Sequence, residues 1–208
     1  MEKSLAPQND VAAVVLAGGR GRRIGGGKPF RLLWNQRLVD RALAKAQRMS
    51  SYVALSVGSE GPLADCDVPQ VADPDPNWGA LGGLAAGLDL AITQGLELCL
   101  TLPCDSPFLP DDLLDRLRTS LRSDKGAALP KAGDQLHVAC GLWRVGIRAT
   151  LIDYAASGGR SLHGLAERVG FTSVEWPCEP LDPFLNINTE EDLVRAEVIL
   201  RDMQKILP

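Results

Sequence analysis

The 208-residue chain contains no apolar run near the roughly 20 residues that a membrane-spanning helix needs. Its first ten residues, Met1 to Asp10, are polar and lack the apolar core of a secretion signal. No contact with a membrane is expected. The five cysteines, at 66, 99, 104, 140 and 178, are odd in number and form no C-x-x-C pair. That argues against a disulfide framework or a zinc site and predicts a reducing, cytoplasmic setting, with four of the five buried as small hydrophobes. No Ser-His-Asp or Cys-His unit is present, and no histidine lies near Cys104 in sequence, so covalent catalysis through a thiol is not expected. A net charge of -4 offers no broad basic surface to nucleic acid. Internal repeats and low-complexity linkers are also missing. The organisation expected is a flexible tail over 1–10 and one domain over 11–208.

Strand-like runs occur at Val11–Ala17, Tyr52–Val57, Leu96–Leu102, Leu136–Arg144 and Phe171–Trp176. Helical patterns lie between them. In Leu38–Met49 the residues Leu38, Val39, Ala42, Leu43, Ala46 and Met49 share one face. Gly79–Thr93 is rich in Ala and Leu, Pro110–Arg122 opens on Pro-Asp-Asp, and a last helix starts at Thr189 with a Thr-x-x-Asp capping box to Asp192. Strands alternating with helices predict an α/β fold, three-layered and Rossmann-like, with a mainly parallel central sheet. Ligands of such sheets bind beyond the carboxyl ends of the strands.

The first strand runs into Gly18-Gly-Arg-Gly-Arg-Arg23-Ile-Gly-Gly-Gly-Lys28-Pro. Gly18 to Arg31 holds five basic residues and no acid, against the balance of the whole chain. Glycines allow backbone N–H groups close to a ligand, and such groups beside cations form a concave phosphate site. The loop is not a P-loop, because Arg22 stands where the first glycine must be and Pro29 where a Ser or Thr would hold magnesium. It is not a dinucleotide fingerprint either, since Ile24 occupies the third glycine position. The inference is a nucleoside triphosphate held at the end of the first strand.

Four further segments fall at strand ends. Leu100-Thr-Leu-Pro-Cys-Asp105-Ser-Pro delivers a carboxylate bracketed by prolines that restrict the backbone, a natural ligand for Mg²⁺ beside a phosphate loop. Val71-Ala-Asp73-Pro-Asp75 places two acids, one or both within reach of metal or nucleotide, ahead of the glycines at 79, 82 and 83. Asn186 and Asn188, two apart on an extended segment, point the same way and can meet one ligand. Ser157-Gly-Gly-Arg160-Ser161 offers a cation and a hydroxyl to an anionic second substrate, and His137 follows a strand start and can face the site, whereas His163 reads as structural.

Together these residues resemble the molybdenum cofactor guanylyltransferases. The resemblance rests on Leu16-Ala-Gly-Gly with Arg23, Gly25 and Lys28-Pro, on Pro103-Cys-Asp105-Ser-Pro-Phe-Leu-Pro, and on Asp182-Pro-Phe-Leu-Asn186-Ile-Asn188-Thr, in the family's order over about residues 11 to 200. Gly141-Leu-Trp143 and Gly159-Arg160-Ser161-Leu are similar as well. The resemblance implies transfer of GMP from GTP to molybdopterin, with pyrophosphate released. It implies that Leu16, Ala17, Gly18 and Gly19 hold the nucleotide, that Lys28 contacts its phosphates, that Asp73 touches the nucleotide, and that Asp105 binds Mg²⁺. Asn186 and Asn188 would bind the pterin, with Arg160, Ser161 and His137 as further acceptor candidates and Arg23 beside Lys28 as a catalytic cation. The N-terminal half would then serve the nucleotide and the C-terminal half the acceptor, with transient contact to molybdoenzyme maturation proteins. The rival expectations are CTP on a pterin, a nucleotide on a phosphosugar, or a non-catalytic GTP-binding protein that delivers cofactor.

Overall fold

The structure, a computed structural model, describes residues 8–18, 27–57, 63, 65–75 and 77–206. Strand β1 (Gln8–Leu16) begins three residues before the expected domain start and lies at the centre of the sheet. A short antiparallel hairpin of β2 (Leu32–Leu33) and β3 (Gln36–Arg37) leads into α1 (Leu38–Met49), whose buried face is the one the sequence pattern gives. The hairpin tip places Trp34 at φ 50° and Asn35 at φ 58°, the positive values that a two-residue I′ turn requires. The chain continues through β4 (Ser50–Val57), β5 (Gln70–Ala72), α2 (Ala80–Thr93), β6 (Leu98–Pro103) and α3 (Leu113–Ser120). It ends with β7 (Ala127–Ala132), β8 (Gln135–Leu136), β9 (Leu142–Arg144), α4 (Arg148–Ala156), α5 (Leu162–Val169), β10 (Phe171–Trp176) and α6 (Glu190–Ile206).

The sheet order is β10-β7-β9-β6-β1-β4-β5, with β8 paired to β7. Strands β6, β1, β4 and β5 are mutually parallel, and β9 runs antiparallel between β6 and β7. From Val11 to Leu16 both faces of β1 are covered, so this part reads as an unbroken apolar run. Val11, Ala13 and Val15 pack with α1 and α3, while Ala12, Val14 and Leu16 pack with α2, α4 and α5. This gives the three layers expected.

Two expectations change. The single strand foreseen over Leu136–Arg144 is broken into β8, a 3₁₀ turn at Val138–Cys140, and β9. The cause is Pro130 on β7: the His137 N–H donates to the Pro130 carbonyl at 2.8 Å, and proline has no N–H to return the bond, so the ladder stops there. The cysteines also differ: Cys99, Cys104 and Cys140 are buried, but Cys66 is half-buried and Cys178 is exposed. Among the described residues no helix is long and apolar enough to cross a membrane.

Helix α2 lies unusually close to the sheet. A Cβ on Gly87 would stand 2.5 Å from Val14 Cγ1 and 2.8 Å from Cys99 Sγ, and one on Gly83 would stand 2.5 Å from Leu16 Cδ2. Gly87→Ala is therefore expected to lower stability by about 1–3 kcal/mol through overpacking, outweighing the gain in helix propensity. Denaturant unfolding measures this, and an unchanged midpoint would show that α2 can shift outward freely.

Candidate active site

The parallel register brings four strand ends to one edge. Leu16 lies opposite Ser56 on β4 and Pro103 on β6, and Val57 lies opposite Ala72 on β5. Each strand brings a candidate residue to this edge: β1 the glycine loop, β4 Ser56 in its last two residues, β5 Asp73, and β6 Cys104-Asp105-Ser106. The main chain at the start of the loop is committed inside the protein. The Ala17 N–H donates to Ser56 O at 3.1 Å, and Leu16 O accepts from Cys104 N–H at 3.2 Å. Leu16 and Ala17 are buried, and Gly18 is exposed. Gly19 and Arg23 lie outside the described residues.

The chain re-enters at Gly27, whose φ of 59° is a value glycine takes without strain. Pro29 is buried and starts a 3₁₀ turn, which fixes Lys28 beside it. The Lys28 ammonium ion-pairs with Asp105 Oδ2 and donates to Asn188 Oδ1 at 2.7 Å. Both members of the ion pair are largely covered, with side chains 14% and 17% exposed. The Asn186–Asn188 segment is tied to the same turn twice more. Ser106 Oγ donates to Asn186 Oδ1, and the Ile187 N–H donates to the Asp105 carbonyl at 2.8 Å. One glycine-loop cation, the carboxylate that follows β6 and two asparagines from far along the chain thus form a single cluster.

Asp73 sits at the other end of the row. Its Oδ1 accepts from Ser56 Oγ at 2.7 Å, and burial pushes its pKa up, with the Ser56 bond opposing. The helix start at Gly79, with φ 53°, allows α2 to press Gly82 against Asp73, where a Cβ would come within 2.8 Å of the carboxyl carbon. Asp75 instead accepts from the Asn77 N–H at 2.8 Å, a local turn bond. Cys104 is buried and its thiol is pushed up to about 12, by burial first and by Asp105 second. It carries no thiolate near neutral pH.

Residues 13–169 match the family model for the MobA-like NTP transferase domain. A molybdenum cofactor guanylyltransferase from Nitrobacter hamburgensis is 37% identical over 191 residues, covering 88% of this chain and 91% of that protein. One from Cereibacter sphaeroides is 36% identical over 190 residues, covering 90% and 96%. The chain belongs to the molybdenum cofactor guanylyltransferases. It is a nucleotidyltransferase. The crystal structure of molybdopterin-guanine dinucleotide biosynthesis protein A from Archaeoglobus fulgidus shares the fold, with a TM-score of 0.74 at 24% identity over 92% of this chain and 99% of that one.

Within this guanylyltransferase the remaining acceptor candidates divide. His137 is 7% exposed and stacks on Phe184 with centroids 4.6 Å apart. Its Nε2 is buried with no hydrogen-bond partner, and burial pushes its pKa down while Asp182 pulls the other way. Phe184 also takes Trp176 edge-on at 5.5 Å. This stack carries the chain into Asn186. Ser161 is the N-cap of α5, accepting from Gly164 N–H at 3.1 Å, and the Arg160 guanidinium donates to the carbonyls of Ala155 and Gly159. His163 is exposed beside Glu167, with Nε2 3.4 Å from Oε1.

Sequence reasoning missed Ser56 and Ser106. The signal for Ser56 was a lone hydroxyl near the end of an apolar strand. Ser106 was hidden by its neighbour Asp105, the more conspicuous group. Among the described residues no three His, Cys, Asp or Glu side chains gather as metal ligands.

Proposed function

We propose that this chain transfers GMP from GTP to the terminal phosphate of molybdopterin, releasing pyrophosphate. The observation that carries the reading is the Lys28 ammonium held between Asp105 and Asn188 at the strand ends, where one cation joins the nucleotide half to the acceptor half. The loop from Gly18 and the Lys28 side chain would cradle the triphosphate, and Asp73, with Ser56, would take a polar part of the nucleoside. Asn186 and Asn188 would orient the pterin, with Arg160 as a candidate for its phosphate and His137 supporting the segment through Phe184. The attacking phosphate oxygen is already an anion, so no side chain has to remove a proton. The work of the site is then positioning and charge neutralisation.

The donor set fits a divalent cation, for which magnesium is the candidate. Asp105 Oδ2 and Asn188 Oδ1 converge on one positive centre, the Lys28 ammonium, and Mg²⁺ commonly needs only one or two protein carboxylates beside substrate phosphates. Asp105 would hold it. The ion, when bound, supplies positive charge to the phosphate oxygens.

The test is pyrophosphate release with molybdopterin and each of the four nucleoside triphosphates in the presence of Mg²⁺. GTP alone is expected to support turnover. Turnover with CTP but not GTP would overturn the nucleotide assignment, and release without molybdopterin would overturn the acceptor.

The two asparagines should separate by their partners. Asn186→Ala is expected to raise the KM for molybdopterin by about tenfold, the value of one good polar contact, and to leave GTP affinity alone. Asn188→Ala should also disturb Lys28 and so reduce kcat. Titration of both ligands checks this. A fall in GTP affinity with Asn186→Ala, and none for the pterin, would assign the segment to the nucleotide.

A further inference from the structure

Ser106 follows Asp105 directly and is only 5% exposed. Other buried hydroxyls of this protein serve their own surroundings: those of Ser50 and Thr101 donate to carbonyls of the neighbouring chain. Ser106 instead meets a side chain 80 residues further along and donates its one proton to Asn186 Oδ1. A buried hydroxyl adds little stability once its own loss of water is counted. Its value here lies in what the bond does to Asn186.

The amide of Asn188 is fixed in the same sense. An ammonium group has no lone pair, so the Asn188 atom that faces Lys28 has to be Oδ1. Both carbonyl oxygens are thus occupied inside the cluster. The two Nδ2 groups are not: neither is bonded to any described residue, and both asparagines are partly exposed. Two amides, two residues apart, therefore offer N–H donors and no free acceptor.

On the reading that this segment meets the second substrate, we propose that Ser106 is a positioning residue. By holding Asn186 Oδ1 it turns the amide so that Nδ2 is offered to the ligand, as Lys28 does for Asn188. The pair then takes atoms that accept hydrogen bonds. It rejects a ligand that brings its own N–H or O–H to the same place, because facing donors leave each other unbonded. The two ends of an asparagine amide are alike in shape and opposite in hydrogen-bonding sense. Without the hydroxyl both orientations are open, and the share turned the wrong way does not bind. The main chain does not depend on Ser106, since the Ile187 N–H still donates to the Asp105 carbonyl.

Turnover of the full chain with GTP and molybdopterin tests the role. Ser106→Ala is expected to raise the KM for molybdopterin about three- to fivefold, the value of one neutral hydrogen bond, with a smaller change in kcat. Ser106→Thr keeps the hydroxyl and should restore the KM. In an Asn186→Ala background Ser106→Ala should do nothing, because no amide is left to turn, whereas loss of packing alone would act in both backgrounds. Asn186→Asp keeps the oxygen that Ser106 bonds but has no N–H to offer, so its KM should rise at least as far as that of Asn186→Ala. A KM that ignores Ser106→Ala, or rises equally in both backgrounds, overturns the proposal. So does an Asn186→Asp enzyme that takes molybdopterin as wild type does.

The free chain supplies a readout that needs no substrate. The Asn186 side-chain NH₂ signals in a nitrogen-15 NMR spectrum, assigned by their loss in Asn186→Ala, should shift in Ser106→Ala and return in Ser106→Thr. Signals that stay in place overturn the positioning by Ser106 whatever the substrate is. Shifted signals in a protein that does not turn over molybdopterin would uphold the positioning and overturn the acceptor.

Discussion

Asp105→Asn is expected to fold and to lose catalysis almost completely. The change keeps the shape of the side chain and removes the charge that a hard cation needs. The charge stabilisation lost at the transferring phosphate is several kcal/mol, so turnover should fall about 10³-fold or more. The backbone of Asp105 should stay in place, because its carbonyl is held by the Ile187 N–H and not by the carboxylate. Stability should fall by only about 1–3 kcal/mol, the value of leaving the largely covered Lys28 ammonium without its anion. Steady-state turnover at ordinary and raised Mg²⁺, with a thermal melt beside it, measures both effects. A folded variant that retains wild-type turnover at ordinary Mg²⁺ would move the cation to Asp73.

Lys28→Ala should cost about 10²–10³ in kcat, as removal of one electrostatic contact to a transition state does, with a smaller loss of GTP affinity. Lys28 is held by two oxygens before any ligand arrives, so its reorganisation on binding is small and its charge counts most as the phosphate changes. The loop also keeps other cations for the ground state, Arg20, Arg22, Arg23 and Arg31 in sequence. Single-turnover rates and GTP titration separate the two quantities. Equal losses in both would make Lys28 a binding residue with no special part in the transfer, and unchanged turnover would remove it from the site.

The sequence was most legible where one physical requirement dominated. Helix α1 was read to the residue because its six apolar positions fall on one face, and β10 because Phe171–Trp176 is a β-favouring run bounded by Gly170 and Pro177. The capping box at Thr189 is present as read: Asp192 N–H donates to Thr189 Oγ1 at 3.1 Å, and Asp192 Oδ2 accepts from Thr189 N–H at 2.9 Å. Strand β7 was missed because Ala-Ala-Leu-Pro-Lys-Ala is not a strand by propensity; it is made one by neighbours on both sides. Helix α4 was missed because its apolar residues do not gather on one face, and α5 because the loop before it drew the reading to Arg160 and Ser161. The site was legible as separate segments. What no spacing could show was the contact of Lys28 with Asn188, since it depends on how the chain returns 160 residues later.

The Ile187 N–H bond to the Asp105 carbonyl has a further meaning for how this site tolerates change. The alignment between the two ends of the molecule is written in peptide groups, which every residue but proline supplies. Side chains around it can drift, or be exchanged to suit another acceptor, while the two segments stay in register. On the function proposed above, an engineer who wishes to alter the acceptor can therefore vary Asn186 and its surroundings broadly. Proline at 187 is the substitution to avoid, because it would remove the N–H that fastens this segment to Asp105.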